Sequence, residues 1–287
     1  MEQLLDVIEQ NYSHFSKGQK RIADYITEHY DKAAFMTAAK LGEKTGVSES
    51  TVVRFAAQLG FTKYAKLQRA LQNVVRIKLT SVQRMEVTND RLDGKDIITN
   101  VLERDIEMIK STLESISHDD FSSAVEAIKS AKRIYILGVR SSASLASFLA
   151  FYFNMVFEDV KLVSPSGSSE ILESIYHIGE DDVCIAISFP RYSQRTVGAV
   201  RFAANKGAKI ISVTDNEFAP SAKYADYKLL ARSDMASFGD SLVAPLSLIN
   251  ALIVASTYDL SEKAQRNFKE LEQMWQSFKV YEDESNA

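Results

Sequence analysis

The chain has 287 residues, 46% of them hydrophobic and 25% charged, with a formal net charge of −4. This is globular composition, long enough for about two domains, and it excludes the disordered and low-complexity classes. No apolar run approaches the roughly 18 residues needed to span a bilayer, and the N-terminus MEQLLDVIEQ lacks the basic, apolar and small-residue order of a signal peptide, so no membrane partner and a cytoplasmic location are expected.

Charge is unevenly divided. Residues 1–80 hold 12 Lys and Arg against 8 Asp and Glu, a net +4, and the remainder holds 22 against 30, a net −8. A basic N-terminal part suits a polyanionic partner. That part shows no strand pattern; apolar residues recur at helical spacing in IADYITEHY, AAKLGEKTGV and STVVRFAAQLGF. Gly46 breaks the second of these segments, Val47 plugs the turn, and Ser48 is a good N-cap for the third. Two helices joined by a tight turn containing Gly form a helix-turn-helix unit.

On a wheel of about 100° per residue, Val52, Phe55, Ala56 and Leu59 fall on one face of the second helix. Ser50, Arg54 and Gln58 fall on the other, with Thr51 and Val53 at its margins. An apolar face to hold the helix and a hydrogen-bonding face to enter the major groove are what a recognition helix requires. Arg54 suits a guanine edge, and Ser48, Ser50, Thr51 and Gln58 suit phosphates or bases. Beyond the stop at Gly60, Lys63, Lys66 and Arg69 suit phosphates. A helical hairpin with a solvated polar face carries the same local pattern.

Residues 79–95, a mixture of charges with Thr, Asn, Asp and Gly, read as a linker. Helical spacing returns in IITNVLERDIEMIKSTLESI and in FSSAVEAIKSA, the latter with Asp119 or Asp120 as its cap. From Arg133 onward the texture is α/β. The apolar runs RIYIL, VKLV, VCIAIS, AKIISVT and YKLLA alternate with helical stretches, which predicts a doubly wound parallel sheet. Cys184, the single cysteine, sits inside the third run and is expected to be a buried, inert thiol.

Ligands of such sheets bind beyond the carboxyl ends of the strands. Three of these ends are rich in hydroxyl or capping groups: 138–144, 188–193 and 214–221. In the first, a strand, a loop and a helix follow one another directly. The helix N-terminus with Arg140, Ser141 and Ser142 either holds an anion or is simply capped by Ser141 or Ser142. No Gly-x-Gly-x-x-Gly, Walker lysine, Cys pair or HExxH occurs, so no cofactor, metal or catalytic residue is assigned. His177 with Glu170 or Glu173 is the one acid/base pairing considered.

Two sets of residues converge on one family. The C-terminal part resembles a SIS (sugar isomerase) domain. Against that family's first loop, Gly-x-Gly-x-Ser, this chain has Gly138-Val139-Arg140-Ser141-Ser142; against its second, Ser-x-Ser-Gly-x-Thr, it has Ser188-Phe189-Pro190-Arg191-Tyr192-Ser193. The N-terminal part is similar to the helix-turn-helix of RpiR-type bacterial regulators. The resemblance implies a transcriptional regulator, more a repressor than an activator, of carbohydrate metabolism. Its partners would be double-stranded operator DNA and a small-molecule effector, a sugar phosphate or related acidic sugar. The alternative is a sugar-phosphate isomerase with a helical extension. Carried over by position, Ser142 matches the phosphate-binding serine, and Ser188 and Ser193 the hydroxyl positions of the second loop. Pro190 and Arg191 replace Ser-Gly, and Arg140 replaces a glycine, so Arg140, Ser141, Arg191 and Tyr192 join the candidate ligand residues.

The expected division is a helix-turn-helix domain over 1–78, the linker over 79–95, and a SIS-type sensing domain over 96–270. A C-terminal helix end and acidic tail would fill 271–287. Operators usually mirror two-fold protein symmetry, which predicts a homodimer or homotetramer. Phe268, Leu271, Met274, Trp275 and Phe278, at helical spacing, would pack across a subunit contact or on their own domain.

Overall fold

The computed structural model describes residues 3–92, 96–163, 168–258 and 262–280. Two compact units emerge: Met1–Asp93 with Ser237–Gly239, and Gly94–Ala236 with Asp240–Ala287.

The first unit is helical: α1 (Gln3–Asn11), α2 (Lys17–Glu28), α3 (Tyr30–Ala33), α4 (Ala38–Thr45), α5 (Glu49–Gln58), α6 (Tyr64–Lys78) and α7 (Ser81–Leu92). Ile22, Ile26, Leu41, Val52, Phe55, Leu67 and Leu71 are fully buried at its centre. The Phe15 and Phe55 rings meet there with centroids 5.0 Å apart. Val52, Phe55 and Ala56 are buried as the wheel requires, whereas Leu59, at the helix end, is half-buried. Gly46 ends α4 with φ +66°, a left-handed conformation that glycine adopts without Cβ strain. The Val47 N–H donates to the Gly42 carbonyl at 2.8 Å, closing a Schellman turn.

The segment read as a linker, 79–95, is instead helical over Ser81–Leu92, and 93–95 lie outside the described residues. The reason is a capping box. The Thr80 N–H donates to Gln83 Oε1 at 2.9 Å and the Gln83 N–H donates to Thr80 Oγ1 at 3.3 Å, the T-x-x-Q signature of a helix start.

The second unit opens with α8 (Ile97–Ser115) and α9 (His118–Ser130). The cap of α9 is Ser117, whose Oγ accepts the Asp120 N–H at 3.1 Å. Asp119 and Asp120, the expected caps, stand in the first turn, where carboxylates favour the helix dipole. The strands are β1 (Arg133–Gly138), β2 (Val160–Val163), β3 (Asp182–Ile187), β4 (Lys209–Thr214) and β5 (Tyr227–Leu230). All pair in parallel in the order β2-β1-β3-β4-β5. Interleaved with and following them are α10 (Ser141–Phe153), α11 (Ser168–Ser174), α12 (Gln194–Asn205), α13 (Val243–Thr257) and α14 (Glu262–Ser277).

The central strands β1, β3 and β4 are buried on both faces because helices cover both. Ile134, Ile136, Ile185, Ile211 and Val213 pack under α9, α10 and α13; Tyr135, Leu137, Cys184 and Ala186 pack under α11 and α12. Burial pushes the Cys184 thiol up to about 12, as an inert core cysteine requires. At the amino edge of the sheet, Arg133 holds the buried Asp182 with two hydrogen bonds, Nε at 2.9 Å and Nη2 at 2.7 Å. Helix α14 runs continuously through the boundary expected at 270/271. Its Phe268, Leu271 and Trp275 are half-buried, while Met274 and Phe278 are exposed. The acidic tail, 281–287, lies outside the described residues.

Candidate functional site

In the first unit the polar face of α5 is exposed over its first turns. The Ser48 side chain caps the helix, accepting the Thr51 N–H at 3.3 Å. The Ser48 hydroxyl lies 2.9 Å from both the Ser50 and Thr51 hydroxyls, and Arg54 Nη2 reaches Thr51 Oγ1 at 3.4 Å. Ser48, Ser50 and Arg54 are exposed, as are Lys63, Lys66 and Arg69, and Thr51 is half-buried. Val53 is 44% exposed beside them, an apolar group of the kind that meets thymine methyls. Gln58 differs. Its Oε1 accepts a bond from Gln19 Nε2 at 2.6 Å, and its Nε2 donates to the His14 carbonyl at 3.4 Å. It therefore ties α5 to the body of the unit, a use that helix periodicity does not reveal.

The second site follows from strand order. Because β1 lies between β2 and β3, the chain leaves β1 towards one face through α10 and leaves β3 towards the other through α12. The carboxyl ends of β1 and β3 thus form the topological switch point, the usual ligand crevice of an open α/β sheet. Gly138 is required there: a Cβ would lie only 2.4 Å from the Ser142 carbonyl oxygen, so α10 starts hard against the strand end.

No side chain of the N-cap residue closes α10 or α12. The capping reading of Ser141 and Ser142 therefore fails. Ser142 and Ser188 are 4% and 3% exposed, and among the described residues neither hydroxyl has a hydrogen-bond partner. Thr196, in the first turn of α12, is 1% exposed and in the same condition. Thr196 is not among the residues nominated from the sequence; its place in the first turn of the helix after β3 is the available signal. Two helix N-termini without side-chain caps and three unspent hydroxyls on buried residues supply hydrogen-bond donors and partial positive charge, which suits an oxyanion.

The other candidate residues take different places. Ser141 and Arg191 are exposed and Ser193 is half-buried. Tyr192 bridges to the loop after β4: its hydroxyl donates to Asp215 Oδ1 at 2.6 Å and accepts from Asn216 Nδ2 at 2.9 Å. Arg140 is exposed and has no ion pair or hydrogen bond from its guanidinium among the described residues. Its backbone sits at φ +59°, ψ −126°, the mirror image of an extended residue. An arginine there costs on the order of 1–3 kcal/mol relative to a relaxed conformation.

His177 lies at the opposite end of the sheet. Its carbonyl accepts from Arg133 Nη2 at 2.8 Å at the amino edge, so the acid/base pairing with Glu170 or Glu173 is not assembled at the switch point. A cavity of about 700 Å³ also opens at that edge, with Glu126, Glu180 and Asp181 in its walls, charges that repel an anion. A groove of about 660 Å³ runs from Ser193 along α12 to Asn205, opposite Leu172.

Comparison with known proteins agrees with this division. Residues 2–76 match the model of the helix-turn-helix domain of the rpiR family, and residues 127–255 match the SIS domain. An uncharacterized HTH-type transcriptional regulator of Clostridium perfringens is 26% identical over 227 residues, covering 79% of this chain and 80% of the relative. The sugar isomerase domain of an RpiR transcription factor from Sphaerobacter thermophilus superposes with a TM-score of 0.58 at 27% identity, covering 61% of this chain and 97% of the other. NanR of Vibrio vulnificus, solved in complex with ManNAc-6P, superposes with a TM-score of 0.60 at 20% identity, covering 96% and 98%. A helix-turn-helix unit followed by a sugar-isomerase-type α/β unit defines an HTH-type transcriptional regulator. Within that class the chain belongs to the RpiR family, with a SIS domain as its second unit.

Proposed function

We propose that this regulator represses genes of carbohydrate metabolism, and that uptake of a phosphorylated sugar at the β1/β3 switch point changes its affinity for operator DNA. The observation that carries the reading is the switch point itself, where α10 and α12 start without side-chain caps and where Ser142, Ser188 and Thr196 are buried residues whose hydroxyls have no partner among the described residues. The ManNAc-6P complex of NanR, a protein of the same fold, supports the ligand class. On the DNA side, Ser48, Ser50, Thr51 and Arg54 would read the major groove and Lys63 a phosphate, with Gln58 bracing the recognition helix. The protein acts by binding alone: effector and operator each shift the affinity for the other by the same factor.

Two-fold operators call for a homodimer. A row of exposed apolar groups on α8, Ile98, Leu102, Ile106 and Leu113, supports self-association of the second unit. Sedimentation of the full chain as a monomer at micromolar concentration would remove that element.

The decisive experiment is a thermal-shift panel of phosphorylated sugars and sugar acids, followed by operator binding with each positive compound. A ligand at about 100 times its dissociation constant adds roughly 2.7 kcal/mol to stability. Silence across the whole panel, or turnover of any member of it, defeats the reading.

A further inference from the structure

Phosphate binding at the switch point leaves Arg140 unexplained. Glycine is the residue suited to φ +59°, ψ −126°, and it is what the SIS loop pattern has at this position. This chain keeps the glycine backbone and carries an arginine on it. A side chain held against its backbone preference at a binding crevice points to a function that the strain serves. Two other arginines of this unit are engaged, Arg133 with Asp182 and Arg232, whose Nη2 lies 3.1 Å from Asp234 Oδ1, while Arg195 in the first turn of α12 stands exposed like Arg140. Arg140 has no such partner among the described residues, and Asp215, in the loop after β4, receives the Tyr192 hydroxyl. The hydroxyl residues at the switch point, Ser142, Ser188 and Thr196, are neutral and buried, whereas Arg140 is exposed two residues before Ser142.

We propose that Arg140 is a specificity-determining residue that selects a phosphosugar bearing a carboxylate. The inference rests on the phosphosugar reading of the same site. The phosphate takes the buried hydroxyls and helix N-termini, and the carboxylate takes the unpaired guanidinium. A guanidinium fork matches a carboxylate in two parallel hydrogen bonds, which a lysine cannot reproduce.

The test uses isothermal titration of the full chain with matched pairs, each a hexose 6-phosphate and its aldonic acid 6-phosphate, in the gluco, galacto and manno configurations. In any configuration that binds, the acid is expected to bind at least about tenfold more tightly than the aldose, the scale of one charge-assisted pair. Arg140→Gly brings that ratio close to one, and Arg140→Lys leaves it in between. Arg140→Gly also raises the midpoint of thermal unfolding, because glycine relieves the backbone, so loss of the ratio cannot be ascribed to misfolding. A wild-type ratio under tenfold, or a ratio that survives Arg140→Gly, overturns the role of Arg140 and leaves the phosphosugar reading standing. No binding of any aldose or aldonic acid phosphate overturns both.

Discussion

In the first unit Ser16, Thr37 and Ser48 close the N-termini of α2, α4 and α5 with their side chains. In the second, α10 and α12 leave the switch point with no such cap, while the hydroxyls nearest them stay unpartnered. The same residue type thus serves two ends. A serine whose oxygen accepts a backbone N–H has used its bond in building the helix; a buried serine without a partner, beside open N–H groups, keeps that bond for a ligand. Under the proposed function, the first unit would read its target with side chains standing off a finished helix, and the second would offer its target the helix ends themselves.

The sharpest way to break this contrast is in the core of the first unit. Phe55→Ala removes a fully buried ring and is expected to cost about 3–5 kcal/mol, measured by chemical denaturation. A cost under about 1 kcal/mol would mean that α5 is not held by its apolar face. Next in size is Arg54→Glu, expected to lower operator affinity about 100-fold, roughly 2.7 kcal/mol, by fluorescence anisotropy at fixed salt. If the thermal shift with effector falls as well, the two sites are not separable in the way proposed. Smallest is Ser142→Ala. It should weaken phosphosugar binding about tenfold, near 1.4 kcal/mol, while changing stability by no more than about 0.5 kcal/mol. An alanine that costs much stability but no affinity would make Ser142 a structural hydroxyl after all.

Most of the chain's plan is local and therefore legible. Apolar runs placed all five strands, most plainly β1, β3 and β4, because a strand buried on both faces must be apolar throughout. Gly46, Ser48 and the face of Val52, Phe55 and Ala56 placed the helix-turn-helix, because turn, cap and wheel each depend on a few adjacent residues. The errors were local too. Thr80 and Gln83 announce α7, but a segment weighed by its charges and loop formers reads as a linker, and Ser117 outcompeted two aspartates for the cap of α9.

What one stretch of sequence could not decide was resolved by packing between distant ones. Ser141 and Ser142 have the composition of a cap. That Ser142 is buried without a partner depends on Gly138 letting α10 close onto β1, and on β3, some 45 residues further on, lying alongside β1. Gln58 has the exposure of a reading residue, yet Gln19 and His14 claim it. Hydrogen-bond satisfaction is a property of neighbours in space. For that reason residue type and spacing could nominate the crevice, while the fold settles which of its hydroxyls are still unspent.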